Sequence, residues 1–410
     1  MKRYFTLHAM VFFAVFSSII LQGCKTQETP LSLINVDFSL EYPVMDLKIS
    51  DIADISYIPL GGKDSARLLT PAQLFKNRIY IDDSLIFIGD FAPYRKDGEW
   101  NRYFPQKGKL VMFSTAGKYL GTVFKAQDNK EDILFGLRAP YEVDSDSKEI
   151  YAFSEYGRFM RAFNYSGEIL SSSGSLQNEK YRESALLGDT LVLFDINSQY
   201  ISSSGQLRNR GAIMQLYDIR SGKFVPHKGI HFARPGNINL IFENSITHTT
   251  DGLYIITERT DTVYHINRKL EITPIFTSVQ HFEDARNMVC PLVETEDYIL
   301  FCNSLDSVSK RNKRFRNANY IYMKAEGQIY QLPCSNSFPE DEAELLWKDE
   351  FLLNSSNLTK TPNTLVSVLP ITLLKEKYNL LPDNLKRITD TASEEDNPVL
   401  MVIRFGKRIY

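Results

Sequence analysis

Beyond its first two dozen residues, this 410-residue chain has no apolar run long enough to cross a bilayer, no surplus of basic charge, and few cysteines or histidines. Each shortage excludes something. A membrane-spanning helix needs about 20 consecutive apolar residues, so no internal span is expected. A general nucleic-acid binder needs excess Lys and Arg to neutralise phosphates. Here 47 basic residues face 50 acidic ones, a formal net charge of −3. Gly-x-Ser-x-Gly, His-Glu-x-x-His and phosphate-loop motifs are missing, and Gly117-Lys118 and Gly222-Lys223 lack the other parts of such a loop. After the N-terminal segment the histidines are His227, His231, His248, His265 and His281. His227 and His231 are close enough to share a metal but have no cysteine or carboxylate beside them, so all five read as surface or satisfied histidines. No metal and no other cofactor is expected.

Four cysteines are present: Cys24, Cys290, Cys302 and Cys334. Cys290 and Cys302 flank the turn Glu294-Thr295-Glu296-Asp297 and are near cross-strand neighbours. A four-residue turn places them one position out of register, on opposite faces of the hairpin. Buried thiols are therefore the expectation, with the disulfide state of Cys290, Cys302 and Cys334 left open.

The N-terminus has what the rest lacks. Lys2 and Arg3 precede an apolar stretch from Phe5 to Leu21, closed by Leu21-Gln22-Gly23-Cys24. A charged start, a short apolar core and a small residue before a cut site describe a secretory signal. Gly23-Cys24 resembles the bacterial lipobox, in which the peptide is cut before the cysteine and the thiol is lipidated. The resemblance implies a signal peptide over 1–23, Cys24 as the lipidation site, and a lipidated tether over 24–45. It also implies a lipid-anchored protein of the cell envelope, at the outer membrane, with the periplasmic or surface side open. Losing Lys2 and Arg3 with the leader takes the side-chain balance from −3 to −5.

From Ile49 onward, short runs of Ile, Leu, Val, Tyr and Phe alternate with turn residues, and no long helical period occurs until near the C-terminus. Strand-turn units recur at Val111–Lys118, Met160–Glu168, Met214–Lys223 and Ile321–Gln328, each turning at a glycine: Gly117, Gly167, Gly222 and Gly327. Glycine suits such turns because positive φ costs it no Cβ clash. A fifth unit, Val263–Lys269, has lost its glycine, and Asn267 is expected to take the positive φ. These spacings match propeller blades, each a four-stranded antiparallel sheet. Five blades are visible. Ile55–Leu60 near the start and Pro398–Phe405 near the end have no blade of their own, and pairing them completes a sixth and removes exposed edges. An all-β, six-bladed propeller over 46–410 follows, with one helical insertion around Leu373 to Thr389.

Ile52-Ala53-Asp54-Ile55-Ser56-Tyr57-Ile58-Pro59-Leu60, the repeated units, and Asp396-Asn397-Pro398-Val399-Leu400 resemble the six-bladed β-propeller lipoproteins of Bacteroidetes. Lys125-Ala126-Gln127-Asp128-Asn129 departs from the acidic residue and paired glycines usual after that family's first blade. The resemblance implies an envelope protein often associated with glycan-uptake systems, without an agreed activity.

Loops joining the second and third strands of propeller blades open on one face. Three are long here: Phe91–Lys107, Asn197–Gly211 and Asn303–Ala318, carrying +2, +2 and +4 on an acidic body. Arg95, Arg102, Arg208, Arg210, Arg314 and Arg316 lie in them, interleaved with Trp100, Tyr103 and Phe315. Arg presents paired donors to carboxylate or sulfate, and rings stack on sugar faces. These nine residues are the candidate ligand-binding set, for an anionic glycan or an outer-membrane protein partner. A solvated rim is the plainer reading of the same charges. Two further readings stay open: a hydrolase or lyase with a metal-assisted site in the central channel, and a structural subunit of an outer-membrane complex. No catalytic residue can be assigned.

Overall fold

A computed structural model describes residues 33–61, 68, 78–91, 95–96, 99–100, 108–125, 141–153, 160–173, 183–194, 199–201, 207–209, 214–225, 246–256, 262–279, 287–305, 318–333, 353 and 357–409. The chain clusters into two units, Met1–Ile34 and Asn35–Tyr410. Among the described residues no helix is long and apolar enough to cross a membrane.

The second unit is a six-bladed propeller. Strand β1 (Ile34–Val36), a one-turn helix α1 (Ile49–Ile52) and β2 (Ala53–Pro59) come before the first complete blade. Blade 1 holds β3 (Ile79–Ile81), β4 (Leu85–Phe91), β7 (Gly108–Ser114) and β8 (Tyr119–Lys125), with a small hairpin, β5 (Arg95–Lys96) and β6 (Glu99–Trp100), inserted midway. Blade 2 is β9 (Tyr141–Asp144), β10 (Glu149–Phe153), β11 (Met160–Asn164) and β12 (Ile169–Ser172). Blade 3 is β13 (Glu183–Leu187), β14 (Thr190–Phe194), β17 (Met214–Asp218) and β18 (Lys223–Phe224), again with an inserted hairpin, β15 (Gln199–Ile201) and β16 (Leu207–Asn209). Blade 4 runs β19 (Ile246–His248), β20 (Gly252–Ile256), β21 (Thr262–Asn267) and β22 (Ile272–Ser278). Blade 5 runs β23 (Asn287–Glu294), β24 (Tyr298–Leu305), β25 (Asn319–Met323) and β26 (Gln328–Gln331).

Blade 6 closes the ring. Its second and third strands are β27 (Thr364–Leu369) and β28 (Val399–Phe405), and its outermost strand is β2 from the other end of the chain. Ala53 to Pro59 pairs antiparallel with Phe405 to Val399 without a break. Its innermost position is taken by the run around Leu358, which bridges Leu365. The expected closure of the ring by its two termini is what the structure has. Between β27 and β28 lie α2 (Ile371–Glu376), a 3-10 turn (Tyr378–Leu380) and α3 (Asp383–Thr391), where the helical insertion was expected.

Before reaching blade 6, the chain runs along the outer edges of blades 4 and 5. β1 lies beside β22, where the Val279 N–H donates to the Val36 carbonyl at 2.9 Å. Val44 bridges Gln331 in blade 5, and Phe38 and Tyr42 pack on Tyr320 at 5.4 and 5.7 Å between ring centroids. Covering the outer strands in this way protects edges that would otherwise offer unpaired backbone groups.

Blades pack face to face through alternating side chains. Ile86 and Ile88 in β4 face a cluster with Ile58, Val366, Leu400 and Val402 of blade 6. Phe87 between them turns the other way, toward Tyr141, Ile150 and Phe163 of blade 2. A strand buried on both faces therefore reads as a continuous apolar run, which is why the middle strands are the plainest in the sequence.

The turns follow the glycine expectation with one correction. Gly117, Gly167, Gly222 and Gly327 all have positive φ. In the fifth unit Asn267 does not; Leu270 does, at φ 62°. The hydrogen bonds explain the shift. In blade 2 the Gly167 N–H donates to the Asn164 carbonyl, and the Glu168 N–H to Asn164 Oδ1. In blade 4 the Leu270 N–H donates to the Asn267 carbonyl, and the Glu271 N–H to Asn267 Oδ1. Asn267 thus corresponds to Asn164, and Leu270 stands where glycine would be.

Candidate functional site

The six innermost strands surround the axis, and side chains stitch them together. The Tyr141 hydroxyl donates to the Arg78 carbonyl at 2.6 Å, tying blade 2 to blade 1. The Thr247 hydroxyl donates to the Pro291 carbonyl at 2.8 Å, tying blade 4 to blade 5. Thr361 exchanges two 2.8 Å bonds with the backbone of Ile81, tying blade 6 to blade 1.

At the centre is a buried charge pair. Lys360, just past the innermost run of blade 6, donates from Nζ to Glu142 Oε1 of blade 2 at 2.7 Å. The Ser184 hydroxyl of blade 3 donates to the same oxygen at 2.5 Å, and Lys360 Nζ lies 3.5 Å from the Ser184 carbonyl. The ammonium also sits 5.4 Å from the centroid of the Tyr141 ring, a cation–π contact. Blades 3 and 6 are opposite in a six-membered ring, so this linkage spans the channel. Burial pushes the Glu142 carboxyl above its ordinary range, while Lys360 pulls it back. His248 at the end of β19 is pushed down to about 3 by burial and by the Lys360 charge, so it is neutral at pH 7. An ammonium in the middle of this group opposes a divalent cation, and Ser184 is held by a carboxylate and not by a histidine base. The arrangement is a polar lock. Sequence reasoning missed it, since Glu142, Ser184 and Lys360 come from three blades and share no local motif.

The hairpin-turn face carries a second network. Asp251, His265 and Glu294 bring one ligand atom each within 4.8 Å of one another, the one such set of metal-ligand types among the described residues. His265 Nε2 is 3.4 Å from Asp251 Oδ1, and hydrogen bonding from His265 is the main cause that lowers Asp251 to about 2. Lys324 Nζ donates to Glu294 Oε1 and to the Thr295 carbonyl, both at 2.7 Å. With an ammonium already on Glu294, the set consists of two neighbouring contacts, Asp251 with His265 in blade 4 and Glu294 with Lys324 in blade 5.

The opposite face is where the long insertions leave the blades, because every inner strand runs the same way along the axis. The insertions lie between the second and third strands of blades 1, 3, 5 and 6. Arg95 and Trp100 are register partners in the β5–β6 hairpin, and Arg208 is the partner of Tyr200 in the β15–β16 hairpin. Arg102, Tyr103, Arg210, Arg314, Phe315 and Arg316 lie outside the described residues. The leader and Cys24 do as well.

No protein-family profile and no curated protein matches the sequence. Among solved structures, an exported protein from Bacteroides fragilis superposes with a TM-score of 0.60 at 15% identity, covering 92% of this chain and 100% of the other. A member of the DUF4221 family from Bacteroides vulgatus gives a TM-score of 0.42 at 10% identity, covering 87% and 99%. A protein of unknown function from Bacteroides thetaiotaomicron gives 0.37 at 12% identity, covering 68% and 64%. The first of these likenesses bears on the fold alone: the chain is a six-bladed β-propeller.

Proposed function

We propose that this chain is a lipid-anchored protein of the cell envelope that binds an anionic ligand, an acidic glycan, on the face where its insertions open. The observation that carries the reading is topological. Four insertions from blades far apart in sequence emerge on one end of the ring, and three of them hold the basic and aromatic residues of the candidate set. Arg95 opposite Trp100 on one hairpin and Arg208 opposite Tyr200 on another put a cation and a ring at adjacent backbone positions. That pairing suits a carboxylated or sulfated sugar, with the guanidinium on the anion and the ring on the sugar face. The lipobox-like Leu21–Cys24 supports the location, as does the name of the Bacteroides fragilis protein that shares the fold.

An array of neutral and acidic polysaccharides tests the ligand class. The wild-type chain should select acidic glycans. W100A should weaken that binding at low and high salt alike, since stacking is not screened by ions. Equal signal on neutral and acidic polymers, or no binding at all, would refute the assignment and turn attention to a protein partner.

A further inference from the structure

Blade 5 carries two thiols in a relation that its turn does not foretell. The turn is tighter than the expected four residues: the Thr295 N–H donates to the Tyr298 carbonyl at 2.9 Å, and outward from there Glu294 pairs with Ile299 and Val293 with Leu300. Continued without interruption, that register would set Cys290 against Asn303. A bulge between Pro291 and Val293 absorbs one residue, Leu292, and moves the remaining ladder by one position. Cys290 then stands directly opposite Cys302. The expected offset of the two cysteines is thereby corrected. Directly opposed residues of an antiparallel pair have Cα atoms about 4.5 or about 5.5 Å apart. Disulfides take Cα separations of about 4.4–6.8 Å. Both side chains are buried, at 1% and 4% exposure, on the two innermost strands of the blade, and the structure holds them as thiols, as expected.

We propose that Cys290 and Cys302 form a cross-strand disulfide, a modification site that clasps the innermost strand of blade 5 to its neighbour. The inference rests on the envelope reading for its oxidising compartment. Chemically, the thiolate of one cysteine attacks the disulfide of a thiol–disulfide oxidoreductase and forms a mixed disulfide. The second thiolate then displaces the oxidoreductase. Two protein thiols lose two protons and two electrons, and the donor's disulfide is reduced to two thiols. Because both sulfurs are buried, the exchange belongs to folding, before the blade closes. Closing so short a loop should lower the unfolding equilibrium constant by roughly a hundredfold.

The test uses the full chain carrying C24S, which removes the lipidated thiol and leaves Cys290, Cys302 and Cys334. Refolding in a buffer of reduced and oxidised glutathione, then peptide mapping without reductant, should give one linked pair, Cys290 with Cys302. The oxidised protein should melt at a higher temperature than the same protein in dithiothreitol, and C302S should abolish that difference. No linked peptide, or a link from either cysteine to Cys334, would overturn the pairing. Acid-trapping and alkylating the wild-type protein in cells tests the compartment separately. Thiols found there, with the bridge formed in vitro, would overturn the envelope reading and leave the pairing intact.

Discussion

Lys360 places a buried ammonium between blades, and the equally buried Glu142 supplies the compensating charge. A buried ion pair is weak evidence for net stability, but removing one partner strands the other, at a cost of about 3–5 kcal/mol. K360M should therefore destabilise the fold by about that amount at pH 7, read by denaturant unfolding. The loss should shrink as pH falls. Without Lys360, the Glu142 pKa rises further above its unfolded value, so the penalty applies to the ionised form and disappears as the carboxyl takes up a proton. A loss that stays constant between pH 7 and pH 5 would mean that Glu142 is not the group left stranded. None of this was legible in the sequence. The two residues are 218 positions apart, and each alone resembles an ordinary surface charge. Their meeting depends on which residues of separate inner strands reach the axis.

The repeated turn was far more legible, because backbone strain acts locally. Gly117 and Gly222 both have positive φ, but their surroundings differ. A Cβ on Gly117 would strike the carbonyl of Pro59 in the closing strand β2, whereas at Gly222 the nearest atom is the Tyr217 hydroxyl at 3.6 Å. G222A should cost about 1 kcal/mol, the price of left-handed backbone alone. G117A should cost several times more, because β2 must move away from the turn. Equal losses in thermal unfolding would show that the contact with β2 does not constrain the turn. Leu270 shows where this legibility ends. Its side chain packs against the core of blades 3 and 4, and that burial offsets the strain of its φ. The same limit applies to Cys290 and Cys302, whose alignment depends on a bulge at Leu292 that leaves no mark in the local composition.

At the scale of the whole molecule, the ring is shut by pairing two ends of the chain. Ile55–Leu60 and Pro398–Phe405 were readable as partners because each was a strand without a blade, and β2 and β28 pair as that reading requires. Deleting the residues before Gly61 should lower stability by several kcal/mol and promote aggregation, since β28 and the face of blade 1 that Ile58 covers would both be laid open. A truncated chain that melts with the intact one would contradict closure by β2. The closed ring is also what gathers distant insertions on one face, the face proposed to bind an anion. The most direct test is the affinity for an acidic polysaccharide across a range of salt concentrations, for the wild-type chain and for a variant carrying R314S and R316S. Exposed charge pairs are screened beyond a Debye length of about 8 Å at physiological ionic strength, and each contributes only about 0–1 kcal/mol to folding. The wild-type affinity should therefore fall steeply as salt rises, and the variant should bind more weakly and with a shallower salt dependence at an unchanged melting temperature. Equal affinities and equal salt slopes for the two proteins would contradict the claim that this face binds an anion.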